Sequence, residues 1–209
     1  MRQKKRVLTR RQAAFRRVAL ALGVVLFFNY VCRICYLLPG QALHDSYERY
    51  GVQEPKVVLR QDAAVLGDDG TYYLSAGKEA VHLTRLRYEP ILGWVSQGTR
   101  VLDCGDGGGV HARWERGDGP LLLWGRVDSR EVCRIVCSVE EAPEFLVSRE
   151  TPFTAVYTVE EFIPEGDARY FYSVFDWEGN CWTTECYITM TAYDAAGNVV
   201  AEEDLTRFP

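Results

Sequence analysis

The residues best suited to chemistry lie near the middle of the chain, where a cysteine is followed by a histidine and an arginine. Thr99–Cys104 has the composition of a strand that ends in Cys104, and His111 and Arg113 follow shortly after it. A histidine or arginine near a thiol lowers its pKa and makes it a better nucleophile, and an arginine can stabilise an oxyanion. One hypothesis is therefore covalent catalysis by Cys104.

This segment resembles sortases, which are thiol transpeptidases. Sortases also combine a membrane anchor with a β ectodomain, end a strand in cysteine and place an arginine shortly after it. The resemblance implies a transpeptidase or hydrolase site formed by Cys104, His111 and Arg113. The chain departs from the sortase pattern because Asp103 replaces the threonine before the cysteine, and 105 residues follow Cys104. Since the Asp103 carboxylate would raise the pKa of the thiol, this reading is kept as an alternative.

Other candidate motifs favour structural roles. Ser75–Lys78 has the Ser-x-x-Lys spelling of penicillin-binding enzymes, but it follows a Tyr-Tyr-Leu strand and contains a glycine, which predicts a hairpin turn. Trp177 and Trp182 lie near one turn and are weak candidates for a sugar- or peptide-binding platform, with core packing as the other interpretation. Ligand spacings typical of zinc or calcium are missing beyond residue 38, so we predict no metal and no cofactor.

The cysteines beyond residue 38 number five, so at least one cannot pair within the chain. On a straight strand Cys133 and Cys137 would lie about 13 Å apart, too far for a disulfide. We interpret Cys133, Cys137 and Cys186 as small buried hydrophobic residues.

The N-terminal region has the pattern of a membrane anchor. Val18–Leu38 is an apolar run of 21 residues, which as a helix would span roughly 31 Å. Eight Lys and Arg and no acid precede it, so residues 1–17 are predicted to be a basic cytoplasmic tail. Asn29 and Arg33 lie four residues apart and would share one polar face of this helix. A cleaved signal peptide is the alternative.

The charge of the predicted ectodomain limits the kinds of partner that it can bind. Beyond residue 38 the chain has 15 Lys and Arg against 29 Asp and Glu, a formal net charge of −14. A surface of that sign repels phosphate backbones, so we predict no nucleic-acid binding. Cationic or neutral partners remain compatible with it.

Beyond a juxtamembrane linker, residues 39–51, the pattern is one of strands and turns. The predicted strands are short and rich in β-branched and aromatic residues, and no sustained helical period occurs after residue 52. This predicts an all-β, antiparallel ectodomain, with residues 52–118 as a small β unit. The predicted strands are 56–60, 71–76, 79–87, 100–104, 109–115, 120–127, 132–139, 169–175, 181–193 and 198–205.

The C-terminal part repeats an aromatic-Asp-x-x-Gly-Asn pattern at Phe175–Asn180 and Tyr193–Asn198. Asp can bond to the turn backbone and Gly accepts a positive φ, so both copies predict hairpin turns that join the last three strands into a meander. Together with the Leu123–Asp128 strand, these features resemble immunoglobulin-like β-sandwich modules of bacterial surface proteins. The resemblance covers residues 119–209 and implies fold and surface location, with no activity.

These observations favour a non-enzymatic, membrane-anchored module that binds a partner in the cell envelope, or serves as an accessory of a membrane complex. The anchor would be residues 18–38, with the N-terminus in the cytoplasm and the β ectodomain outside. The alternatives are the Cys104-centred thiol enzyme and a purely structural spacer.

Overall fold

The structure, a computed structural model, describes most of the 209 residues. The described ranges are 9–32, 36–53, 55–62, 69–90, 92–105, 109–116, 121–141, 154–175 and 186–206. In this part of the chain there are two α-helices, α1 (Arg10–Cys32) and α2 (Pro39–Arg49), followed only by β-strands. The predicted all-β, antiparallel character of the chain beyond its helices is confirmed.

The described strands form three antiparallel sheets of four strands each. Sheet A has the order β1-β2-β3-β4, with β1 Lys56–Asp62, β2 Gly70–Ala76, β3 Ala80–Glu89 and β4 Gly93–Asp103. Sheet B has the order β5-β6-β10-β9, with β5 Val110–Arg116, β6 Leu121–Val127, β9 Ile163–Glu165 and β10 Ala168–Phe175. Sheet C has the order β12-β11-β7-β8, with β7 Arg134–Glu141, β8 Thr154–Val159, β11 Cys186–Tyr193 and β12 Val199–Asp204.

The three sheets are stacked, with sheet B in the middle. Alternate residues of β6 face opposite sides: Leu123 packs in a core shared with sheet C, and Trp124 packs in a core shared with sheet A. This explains the nearly continuous apolar run Leu121–Val127, because a strand covered on both faces has no solvent side. The β-sandwich character predicted from the sequence is confirmed for sheets B and C, whose facing residues form the largest core.

Helix α2 covers the remaining face of sheet A. Its first turn begins at Pro39, a residue favoured at the start of a helix, and the Gln41 side chain accepts a bond from the Leu38 N–H. Leu43 and Tyr47 pack against Tyr73 and Leu86 of the sheet. The segment predicted as a linker is therefore part of the folded body, which has four layers in the order α2, sheet A, sheet B and sheet C.

Helix α1 presents apolar side chains that no described part of the chain covers. Val18, Leu20, Leu22, Val25 and Phe27 are each more than 60% exposed. No helix among the described residues combines the length and the apolar character that crossing a membrane requires. The end of the predicted 18–38 segment is only partly described, and the side chains of Asn29 and Arg33 lie outside the description.

The structure differs from the sequence-based predictions in the limits of the strands, in their pairing and at the predicted domain boundary. The strand predicted at 100–104 begins earlier, at Gly93, and β8 and β9 were not predicted. The predicted meander is wrong, because β10 belongs to sheet B whereas β11 and β12 belong to sheet C. The boundary placed between residues 118 and 119 falls between β5 and β6, which pair with each other in sheet B.

Candidate functional site

Cys104 follows the last residue of β4 and is buried between sheets A and B. It is 3% exposed and belongs to the core that contains Leu83 and Trp124. Burial raises the pKa of the thiol to about 11, and the nearby Arg126 guanidinium offsets only part of this effect. The thiol is therefore protonated at neutral pH, which is the state of a structural cysteine and not of a nucleophile.

The other two residues of the predicted thiol site make their contacts elsewhere. Arg113 Nη1 donates to the Val101 carbonyl oxygen at 2.9 Å, which ties β5 to β4. His111 Nε2 lies 4.0 Å from Asp128 Oδ2. The first contact joins sheet B to sheet A, and the second lies within the region of sheet B.

Two charged residues that the sequence analysis did not select lie close to Cys104. Arg126 Nε is bonded to Asp128 Oδ1 at 2.7 Å, and both groups act on the pKa of the Cys104 thiol. Arg126 Nη1 also donates to the Lys78 carbonyl oxygen, in the turn between β2 and β3. Arg126 and Asp128 therefore help to join sheet B to sheet A. Arg126 and Asp128 are two residues apart, which puts their side chains on the same side of an extended chain. This spacing was the available sequence signal for their contact.

The Ser75–Lys78 motif is a hairpin turn, as predicted. Gly77 N–H donates to the Ala80 carbonyl oxygen at 2.8 Å, and Ala76 pairs with Val81 across the two strands. The Ser75 side chain is fully buried and shares a hydrogen bond with the Tyr47 hydroxyl group of α2. Ser75 thus stabilises the contact between α2 and sheet A.

The described cysteines beyond residue 38 fall into different environments. Cys137 is fully buried, and burial raises its pKa to about 12, as expected of a small core residue. Cys186 is half-buried against the same core. The interpretation of Cys133 as buried is wrong: it is exposed, because its neighbour Val132 takes the inward position. Cys181 lies outside the described residues.

No described group of three or more His, Cys, Asp or Glu side chains is arranged to hold a metal ion. Trp177 and Trp182, the predicted platform, lie outside the described residues. The strands on either side of them end at Phe175 and begin at Cys186. Phe175 stacks on Tyr157 of β8 with ring centroids 4.3 Å apart, which fixes that end of the sandwich.

The largest sheet surface without a described element against it is the outer side of sheet C, which we call the open face. Its alternating residues point away from the core that contains Cys137, Ile188 and Met190. The side chains at the centre of the open face are small or β-branched. The open face as a whole comprises Arg134, Val136, Ser138, Val156, Thr158, Tyr187, Thr189, Thr191 and Tyr193.

Aromatic and charged groups border the open face. Tyr187 is 48% exposed at one end and Val156 is 62% exposed on the edge strand β8. At the other end the Arg134 guanidinium lies 4.8 Å from the Tyr193 ring centroid. Glu202 and Asp204 of the other edge strand lie opposite Thr191 and Thr189, so this border is acidic.

The open face was not selected from the sequence, because β8 was not predicted. Thr154–Val159 is rich in β-branched residues, which are favoured in strands, and this composition was the available signal. Comparison of the chain with protein-family models, with curated proteins and with solved structures finds no match.

Proposed function

We propose that this protein is a non-enzymatic, membrane-anchored module that binds a protein partner of the cell envelope through the open face of sheet C. The observation that carries the proposal is the open face itself. Sheet B packs between sheets A and C and sheet A packs between sheet B and α2, whereas the described elements cover sheet C only on its inner side. The tyrosines that border this half-exposed sheet surface support the proposal, because tyrosine is enriched at protein interfaces.

The strand order supports an immunoglobulin-like sandwich within residues 110–204. Immunoglobulin domains have one sheet with the order A-B-E-D, and a second sheet in which G, F and C are neighbours. With β5 taken as strand A, sheet B has the order A-B-E-D and sheet C has the order G-F-C-C′. In this assignment the open face is the outer side of the G-F-C-C′ sheet.

The exposed apolar surface of α1 supports the membrane anchor. Leucine, valine and phenylalanine side chains surround this helix, and each costs about 1.5–3 kcal/mol when it is left in water instead of being buried. Lipid contact along residues 18–38 removes that cost. The eight basic residues before the segment favour an orientation with the N-terminus in the cytoplasm and the β body outside.

The charge of the border indicates the chemistry of the partner. Glu140, Glu202 and Asp204 lie on strands of sheet C, and the predicted ectodomain has a formal net charge of −14. A partner with a basic surface complements this charge and associates faster at low ionic strength. The thiol-enzyme alternative has less support, because the Cys104 thiol is buried and protonated.

Site-specific photocrosslinking of the full-length chain in its native membranes tests the proposal. A photoreactive phenylalanine analogue replaces Tyr187 or Val156 on the open face. The matched control carries it at Val57, which is 43% exposed on β1 of sheet A. We expect one specific adduct from the open-face positions, weakened by high salt, and no such adduct from position 57.

Two results would contradict the proposal. The same adducts from all three positions would show non-specific contact. The absence of any adduct from Tyr187 and Val156, with the protein present in the membrane fraction, would favour the structural spacer.

A further inference from the structure

We propose that the tip of the β3–β4 hairpin and residues 36–38 form one apolar surface that lies in the interfacial layer of the lipid bilayer. We call it the junction surface; its described members are Tyr36, Leu37, Leu38, Tyr88, Leu92 and Trp94. The inference rests on the proposed membrane anchor and adds a second contact with the membrane, made by the folded body.

The chain is attached to the hairpin at the end of the predicted membrane segment. Trp94 N–H donates to the Tyr36 carbonyl oxygen at 2.8 Å, and Tyr36 forms isolated β-bridges with Gly93 and Trp94. Gly93 has φ +72°, and a Cβ at this position would overlap the Tyr36 carbonyl group. This close backbone contact holds the hairpin tip beside the end of the apolar run.

The side chains at this contact suit the boundary between lipid and water. Leu37 and Leu38 are 60% and 62% exposed, and Leu92, at the turn of the hairpin, is 45% exposed. Tyr88 is 54% exposed and packs edge-on against Trp94, with ring centroids 5.7 Å apart. Tyr and Trp are enriched where a protein leaves the bilayer, because their rings are apolar and their polar atoms bond to water or headgroups.

The short chain between Tyr36 and Leu38 keeps the hairpin tip close to the boundary between lipid and water. Leu38 is the last residue of the apolar run, and Tyr36 is two residues before it. Two extended residues span at most about 7 Å, and each polar layer of a bilayer is roughly 5–8 Å thick. If residues 18–38 cross the membrane, the hairpin tip bonded to Tyr36 therefore lies within or beside the polar layer.

Fluorescence quenching by brominated lipid tests this inference. The full-length protein is reconstituted into phosphatidylcholine vesicles, and vesicle flotation reports whether it is anchored. The added tryptophan of Leu92→Trp is compared with that of Val156→Trp, which lies on the open face of sheet C. Stacked sheets are about 10 Å apart, so position 156 belongs to a layer roughly 20 Å from sheet A.

We expect brominated acyl chains to reduce the added emission of Leu92→Trp by about half and to leave that of Val156→Trp unchanged. Flotation without quenching at position 92 would overturn the inference and leave the anchor intact. A blue-shifted but unquenched emission at position 92 would indicate protein contact at the junction surface and would also overturn it. Failure of the wild-type protein to float would overturn the anchor and, with it, the inference.

Discussion

The backbone of Tyr36 lies so close to Gly93 that position 93 accepts no side chain. Gly93, the first residue of β4, is buried against the Tyr36 backbone, and its φ of +72° lies in the region that glycine adopts without strain. Both the positive φ and the close approach of the Tyr36 backbone therefore favour glycine at position 93. This close approach bonds the chain between α1 and α2 to sheet A.

Replacement of Gly93 by alanine is expected to destabilise the fold. The unfavourable backbone conformation alone costs about 1–3 kcal/mol, and overlap with the Tyr36 carbonyl group adds to that cost. Gly51→Ala is the matched control, because Gly51 has φ +66° with no atom within 4 Å of an added Cβ. Urea titration of the full-length variants in detergent should show a larger loss for Gly93→Ala. Equal losses would mean that the contact with Tyr36 does not contribute.

The environment of each cysteine predicts its reactivity. The thiolate is the reactive form, so the buried Cys104 and Cys137, with pKa values raised to about 11 and about 12, should resist alkylation. Exposed Cys133 should react readily. Iodoacetamide labelling near pH 8, followed by peptide mass spectrometry, should modify Cys133 in the native protein and the two buried cysteines only after unfolding. Labelling of Cys104 at the rate of Cys133 would restore the thiol-enzyme hypothesis.

The strands were largely predictable from sequence because their residues are locally distinctive. Tyr72–Leu74 in β2 and Leu121–Trp124 in β6 are runs of aromatic and branched apolar residues that few other structures accommodate. The short strand Ile163–Glu165 was missed, because three residues that include a proline carry no periodic pattern. Local composition therefore predicts the existence of a strand better than its limits.

The pairing of strands was not predictable in the same way. Alternation identifies which side of a strand is buried, but it does not identify the neighbouring strand. The repeated turn motif illustrates this limit. At Asp194 the carboxylate accepts bonds from the Ala196 and Asn198 N–H groups, and the turn joins β11 to β12 as predicted. The other copy lies outside the described residues, between strands of different sheets.

The burial of Cys104 depends on the same long-range information. Thr99–Cys104 was recognised as the end of a strand, but the residues that cover the thiol come from sheet B, including Trp124 and Tyr170. Because sheet B packs on sheet A, Cys104 is a core residue and not an accessible nucleophile. The open face has the opposite cause, because sheet C packs against sheet B on one side and has no second neighbouring layer among the described elements.

Acid should destabilise the contact between α2 and sheet A through His82. This side chain is 5% exposed, it pairs in register with Ser75, and its Nδ1 atom has no hydrogen-bond partner among the described residues. Burial lowers the pKa of His82, so below pH 6.5 the unfolded chain binds a proton more readily than the folded chain. Stability is therefore complete above about pH 6.5 and decreases as pH falls through the lowered pKa.

The free energy of unfolding at pH 7 and pH 5 measures this effect. We expect the wild-type protein to lose stability over that interval, and His82→Gln to lose less. His44→Gln is the control, because the His44 side chain is 72% exposed on α2. If wild type and His82→Gln show the same difference between the two pH values, another group is responsible for acid sensitivity.

The hydroxyl groups beneath α2 should make a larger contribution to stability than those on the open face. Thr99 Oγ1 lies 2.7 Å from Ser46 Oγ and 2.9 Å from Thr84 Oγ1, and all three residues are buried. Thr99→Val keeps the side-chain shape but removes a partner from two buried hydroxyl groups, at a cost of about 1–3 kcal/mol. Thr191→Val, the same change on the open face, should alter stability by less than about 0.5 kcal/mol.

A double-mutant cycle with Ser46→Ala identifies the source of this difference. If the bond between Ser46 and Thr99 joins α2 to sheet A, the double variant should lose less stability than the two single variants combined. Urea denaturation of the four full-length proteins at one pH provides the measurement. Additive losses would show that the two hydroxyl groups are not coupled, and that other contacts of α2, such as those of Leu43 and Tyr47, hold the helix to the sheet.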